Sequence, residues 1–73
     1  MKVIDLQALL SQMPSDADVV VKGYEGGVDD VVNVKLVKIK KNANDEWYYG
    51  KHAIDEDSDI QVVFIQREER QAD

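Results

Sequence analysis

The chain has 73 residues, no cysteine and a formal net charge of −6, from 15 acidic and 9 basic residues. A chain of this length forms one domain near the lower size limit for a stable core, and it lacks the disulfides or cysteine-bound zinc that often support such small domains. Its acidity excludes generic nucleic-acid binding, which depends on the release of counterions from phosphates.

An amphipathic helix is predicted from Val3 to Met13, because apolar residues recur there three and four positions apart. Asp5 stands in or near the first turn, where the helix dipole favours an anion. Pro14 ends the helix, since it disfavours helical geometry in the residue before it. We expect the apolar face to bury itself on a sheet. That face comprises Val3, Leu6, Leu9, Leu10 and Met13.

Four strands are predicted after the helix, over residues 18–22, 31–40, 46–49 and 60–66. The valines of the first strand indicate burial on both faces. Turn-forming side chains at 42–45 predict a hairpin between the second and third strands. The expected fold is therefore α+β, with one N-terminal helix packed on a small, mainly antiparallel sheet of about four strands. It occupies residues 1–66 as a single domain, and residues 67–73 form a polar C-terminal tail.

The second strand has a distinctive distribution of apolar and basic residues. Val32, Val34 and Leu36 share one face, whereas Val37 and Ile39 lie on the other, as a β-bulge or contact with two layers would produce. The strand also carries a basic segment made of Lys35, Lys38, Lys40 and Lys41. Lysines on a strand keep an edge soluble and unpaired. We favour that interpretation over phosphate binding.

A glycine-rich segment, 23–27, separates the first two predicted strands. It holds three of the four glycines of the chain, and glycine tolerates positive φ and close backbone approach. The chain is expected to turn sharply here and to present Tyr24 and Glu25 at the surface. The segment either holds a ligand or only connects two strands, and the sequence leaves both alternatives open.

Several sequence patterns resemble a family of small uncharacterised proteins of phages, prophages and bacterial genomes. They are Pro14-Ser15-Asp16-Ala17, the valine-rich strand that follows, Gly23-Tyr24-Glu25-Gly26-Gly27, Tyr48-Tyr49-Gly50-Lys51-His52 and the strand-ending Ile65-Gln66-Arg67. The family often has an acid after the histidine, where this chain has Ala53. The resemblance implies a fold and a mobile-element setting, and it implies no assigned activity.

One group of side chains has the chemistry of a binding site. If the two glycine-containing loops lie at one end of the sheet, carboxylates and an imidazole converge there and could act as an acid/base pair or hold a hard metal. The group consists of Tyr24, Glu25, Asp29, Asp30, Tyr49 and His52. Loop carboxylates beside glycine more often form turn hydrogen bonds, so the sequence favours binding over catalysis and nominates no catalytic residue.

Two further segments bear on function. The acidic stretch 55–59 resembles the start of an EF-hand loop, but Ile60 and Gln66 replace the required glycine and glutamate, so no metal site is predicted. Trp47, Tyr48 and Tyr49 hold most of the aromatic area. We expect at least part of it in the core, and any exposed remainder would be a protein-binding patch.

These observations favour a small, acidic protein-interaction module, an adaptor or inhibitor of phage or prophage origin, over an enzyme. No cofactor is implied, and the partner is expected to be a protein. The alternative is a small-ligand, nucleotide or metal-binding domain, or a minor enzyme, built on the glycine-rich segment and His52. We expect a cytoplasmic protein because no apolar run is long enough for a membrane span. A homodimer is an open alternative for a chain with so small a core.

Overall fold

A computed structural model describes residues 1–70 and contains one helix and four strands. These elements are α1 (Val3–Leu10), β1 (Val20–Lys22), β2 (Val28–Lys40), β3 (Ala53–Ile54) and β4 (Ile60–Arg67). The strands form an antiparallel sheet, so the predicted α+β class is confirmed. No helix in the described part of the chain is long and apolar enough to cross a membrane. The end of the predicted tail, 71–73, lies outside the described residues.

The long strand β2 organises the sheet. β1 pairs antiparallel with its first residues, from Val20 opposite Asp30 to Lys22 opposite Val28. β3 pairs antiparallel with its last two residues, 39 and 40, and β4 also pairs with β2. Among the described residues, contacts within the chain group 1–32 and 67–70 into a first unit, and 33–66 into a second unit.

The helix begins as predicted and ends earlier. The backbone N–H of Lys2 donates to a carboxylate oxygen of Asp5 at 3.0 Å, which satisfies one of the free donors at the helix start. After Leu10, the N–H of Met13 donates to the carbonyl of Leu10 at 3.0 Å, a bond spanning three residues instead of four. The chain therefore tightens into turns of the 3₁₀ type three residues before the predicted end of the helix.

The apolar face of the helix is less buried than the sequence predicted. Leu6 is half-buried, whereas Leu9 and Leu10 are exposed, and no residue of α1 is fully buried. Val3 and Met13 are exposed as well, so the expectation of a buried apolar face was wrong for four of its five residues. The physical reason is area: a helix of eight residues has about two turns, and β1 in the same unit is three residues long.

β2 bears out the predicted division of its faces. Ile39 is the buried hydrophobic residue of the described chain and Val37 is half-buried, whereas Val32, Val34 and Leu36 are exposed. The strand runs continuously from 28 to 40. Because side chains alternate along a strand, the face with Val37 and Ile39 is the more buried one, and the other apolar face is exposed to solvent.

Two strand predictions were wrong. β1 is shorter than 18–22, and both Val19 and Val20 are exposed, so the valine run is not buried on both faces. Residues 46–49 form a turn, in which the N–H of Tyr49 donates to the carbonyl of Glu46 at 3.1 Å. The third strand is β3 instead, since the turn commits the backbone bonds that a strand at 46–49 would have needed.

Candidate functional site

The glycine-rich segment is the tip of the β1–β2 hairpin. The N–H of Gly27 donates to the carbonyl of Tyr24 at 2.9 Å, which closes a four-residue turn. Its central residues have positive φ, 48° at Glu25 and 82° at Gly26, as in the type I′ turns that join antiparallel strands. The predicted sharp turn is confirmed, and Tyr24 and Glu25 are both exposed on it.

Behind the turn, Asp29 is held by an arginine from the end of β4. Nη1 of Arg67 lies 2.8 Å from Oδ2 of Asp29, and both side chains are partly shielded from water. The guanidinium carbon of Arg67 lies 4.8 Å from the ring centre of Tyr24, a cation–π geometry. The hydrogen bond to Asp29, followed by one to Tyr24, raises the pKa of Arg67 above its ordinary value.

Gly23 makes room for this arrangement. A Cβ atom at Gly23 would collide with the carboxylate of Asp29. The sequence suggested a close approach to the backbone in this segment, and it occurs at Gly23, where the Asp29 carboxylate packs against the main chain. This contact helps to position Asp29 beside Arg67.

An open cleft lies beside the cluster of Tyr24, Asp29 and Arg67, entirely within the first unit. Its volume is about 510 Å³. The lining residues are Tyr24, Gly27, Val28, Asp29, Arg67, Glu69 and Arg70. The lining has two acids and two arginines, so its net charge is zero and it favours neither anions nor cations. The cleft offers charged groups of both signs beside the aromatic ring of Tyr24.

The other predicted residues of the first unit have different surroundings. Asp30 is exposed, and its backbone carbonyl accepts a hydrogen bond from the N–H of Glu68 at 2.8 Å. Glu25 projects from the tip of the turn, where its exposed carboxylate adds to the acidity of the hairpin end. Of the four residues predicted here, Tyr24 and Asp29 line the cleft.

In the second unit, His52 closes a loop. Its Nδ1 accepts a hydrogen bond from the backbone N–H of Asn42 at 2.9 Å, and Asn42 has a positive φ of 54°. The side chain of Asn44 donates to the carbonyl of Gly50 at 2.7 Å across the same loop. The imidazole thus satisfies a backbone donor at a strained turn and leaves only Nε2 for other chemistry.

The aromatic cluster, Trp47, Tyr48 and Tyr49, lies on the surface of the second unit. Trp47 is 92% exposed, and the two tyrosines are 63% and 62% exposed. The rings of Trp47 and Tyr48 meet edge to face with centres 5.6 Å apart, and those of Tyr48 and Tyr49 are 5.1 Å apart. The expectation that part of this area forms core was wrong, because a turn at 46–49 does not direct alternate side chains inward.

The predicted binding residues therefore divide between the two units. Tyr24, Glu25, Asp29 and Asp30 belong to the first unit, and Tyr49 and His52 to the second. Their convergence on one site stays a prediction. Within residues 1–70, no group of three or more His, Cys, Asp or Glu side chains could hold a metal ion.

Sequence reasoning missed Arg67 as a site residue and assigned it to the tail. Its partner is 38 positions away, so no local spacing joins the two. The one available signal was the resemblance of Ile65-Gln66-Arg67 to a strand-ending arginine.

Comparison of the chain with protein-family models, curated proteins and solved structures found no match.

Proposed function

We propose that this chain is a small acidic protein-interaction module, an adaptor or inhibitor that binds a protein partner through its aromatic cluster. The observation that carries the proposal is the exposure of Trp47 and its two neighbours in the free chain. Large aromatic side chains in contact with water are costly to maintain, and they are enriched among the residues that dominate binding energies at protein interfaces.

The size of the cluster supports this function. Three aromatic rings of this exposure present roughly 400 Å² of surface, since such a side chain buries about 150–250 Å² when covered. Such an area is comparable with the largest apolar patches of monomeric proteins, which are often functional. Mutual ring contacts also reduce the number of conformations the side chains must lose on binding.

Acidic residues define the chemistry of the partner. Asp45 and Glu46 directly precede the aromatic cluster, and the acidic loop 55–59 belongs to the same unit. The loop has a defined shape, because the N–H of Asp57 donates to a carboxylate oxygen of Asp55 at 3.0 Å. A partner with an apolar pocket rimmed by basic residues complements this surface, and opposite charges accelerate encounter.

The setting of the module is part of the same proposal. The resemblance of the glycine-rich segment and of the Tyr48–His52 stretch to small phage and prophage proteins supports a mobile-element origin. It supports a cytoplasmic location in a bacterial host. An adaptor or inhibitor of a host or phage enzyme fits a chain of this size without cofactor chemistry.

The test is a comparison of immobilised proteins in bacterial lysate. The wild type is compared with the triple variant Trp47→Ser, Tyr48→Ser, Tyr49→Ser. Ile54→Ser serves as a matched control, since Ile54 is 61% exposed and lies in the same unit. The wild type and the control should retain the same protein, and the triple variant should lose it.

The retained protein is then purified and titrated directly by calorimetry. Equal retention by the triple variant, with its circular dichroism unchanged, would contradict the proposal. So would the absence of any protein that distinguishes the wild type from the triple variant at low salt.

A second candidate function rests on the cleft beside Arg67. The ring of Tyr24, the arginine and Asp29 could hold a small polar ligand there, which would make this chain a small-ligand or nucleotide-binding domain. A thermal-shift panel of nucleotides and divalent ions tests it. A saturable shift lost in Tyr24→Ala and kept in the triple aromatic variant would favour the cleft over the aromatic cluster.

A further inference from the structure

One edge of β2 has no strand partner over part of its length. β1 pairs only with positions 28–30 and β3 only with positions 39 and 40. Each strand has two edges, and β4 is the one other strand of the described chain that pairs with β2. The carbonyl of Lys38 accepts a hydrogen bond from the N–H of Asp55 at 2.9 Å, next to β3. Residues 33–37, which lie within the second unit, therefore have one edge without a strand partner.

The open edge has the side chains of a binding strand. Val34 and Leu36 are 59% and 65% exposed on one face, and Lys35 is exposed on the opposite face. Leu36 and Lys38 also line a shallow cleft of about 340 Å³ within the second unit. An added strand would find backbone groups along the edge and apolar side chains on one face. The N–H of Val34 already donates to Oδ1 of Asn33 at 2.9 Å.

Charge identifies the strand that this edge accepts. The basic segment Lys35, Lys38, Lys40 and Lys41 contains no acid, although the chain as a whole has a net charge of −6. A second copy of the same strand would bring lysines against lysines, which is unfavourable for directly opposed residues. An acidic strand would gain attraction in place of this repulsion.

We propose that the open edge of β2 at residues 33–37 binds an extended acidic segment of a partner protein by strand addition. Apolar side chains of the segment pack beside Val34 and Leu36, and its carboxylates lie beside Lys35 on the other face. Backbone hydrogen bonds supply affinity, and alternating side chains supply selectivity. This surface is separate from the aromatic cluster, so the inference does not depend on the function proposed above.

The test uses a synthetic ten-residue peptide that alternates glutamate and valine, with blocked ends, titrated by fluorescence anisotropy. Two control peptides replace every glutamate by lysine or N-methylate alternate backbone amides. The acidic peptide should bind, and added salt should weaken its binding. The basic and N-methylated peptides should bind at least about tenfold more weakly, because they lack the charge or the donors.

Protein variants locate the site. The double variant Lys35→Glu, Lys38→Glu should weaken binding of the acidic peptide about tenfold or more. Lys51→Glu, at an exposed lysine of the same unit outside the basic segment, should leave binding within about twofold. It is compared with the single variant Lys35→Glu, which makes the same change in net charge and should weaken binding. Hydrogen exchange should show peptide-induced protection of amides within 33–37.

Four results would overturn the inference. They are no binding of the acidic peptide at millimolar concentration, equal binding of the N-methylated peptide, equal loss of binding in Lys51→Glu and Lys35→Glu, and protection of 47–49 in place of 33–37. Protection of 33–37 that rises with protein concentration without peptide would instead assign the edge to a second copy of the chain.

Discussion

Arg67 and Asp29 stand 38 positions apart in the chain and meet with Nη1 and Oδ2 at 2.8 Å. The contact ties the end of β4 to the start of β2, and the ring of Tyr24 covers the guanidinium. An ion pair open to solvent contributes little by charge alone. Its main effect is to fix the positions of three side chains that border the cleft.

Removal of the arginine charge should therefore change local order more than stability. Arg67→Met should lower the unfolding midpoint slightly and should release the ring of Tyr24, seen as loss of its ring-current shifts in NMR. Asp29→Asn should have a smaller effect because a neutral hydrogen bond remains. An unchanged Tyr24 spectrum in Arg67→Met would show that the arginine does not position the ring.

The pH dependence of this contact follows from the raised pKa of Arg67. A cation whose pKa is raised on folding contributes stability that is fully present below its unfolded pKa and is lost only as pH rises through its folded pKa, far above neutrality. The arginine therefore adds no pH dependence to stability at neutral pH. Salt should weaken the contact there, as a comparison of wild type and Arg67→Met at rising salt would show.

Gly23→Ala should disturb the same contact from the other side. The added methyl group meets the carboxylate of Asp29, so either the carboxylate leaves Arg67 or the hairpin opens. Gly50→Ala is the control, because a Cβ atom at Gly50 would lie 3.9 Å from the carbonyl oxygen of His52, an ordinary van der Waals distance. Denaturant unfolding should show a lower unfolding midpoint for Gly23→Ala and little change in the midpoint for Gly50→Ala. Equal midpoints would contradict the close approach.

Ile39→Ala should be among the most destabilising truncations in β2. Ile39 is 8% exposed, and replacing a buried isoleucine by alanine typically costs about 2 kcal/mol or more. Val34→Ala, at an exposed position of the same strand, should change the free energy of unfolding by no more than about 0.5 kcal/mol. If both variants lost the same free energy, the division of the two faces would be wrong.

His52 should stabilise its own loop and contribute little to the stability of the whole protein. His52→Ala removes the acceptor for the N–H of Asn42, so that amide should exchange faster with solvent while the protein still folds. His52→Asn supplies a side-chain oxygen and should restore part of the protection. Lys51→Ala should leave the exchange of Asn42 unchanged. If the Asn42 amide of His52→Ala exchanged as slowly as in the wild type, His52 would not hold this loop.

The sequence contained enough local information for the helix start and for the two faces of β2. Asp5 marked the first turn, and alternation separated Ile39 from Val34. The helix end was missed because Pro14 only sets a limit, whereas the turn bonds after Leu10 depend on local geometry. Three aromatic residues in a row favour a strand by propensity, and this preference concealed the turn at 46–49.

The candidate site was predictable in its loop and not in its contacts. Closely spaced glycines indicated the sharp turn at Tyr24 and Glu25. Nothing near Asp29 in sequence indicates its arginine, because the contact exists only after β2 and β4 have paired. The exposure of Trp47 was likewise undetermined, since an aromatic run has the same composition in a core and at an interface.

Trp47 is the only tryptophan of the chain, so in the free protein tryptophan fluorescence reports on the aromatic cluster alone, and in a complex the signal of the partner alone is subtracted. The most direct test is acrylamide quenching of this fluorescence, first in the free protein and then with the partner recovered by the wild type. We expect full accessibility in the free protein and strong protection in the complex. A shielded Trp47 in the free protein, or one still fully quenched in the complex, would contradict the proposed interaction surface.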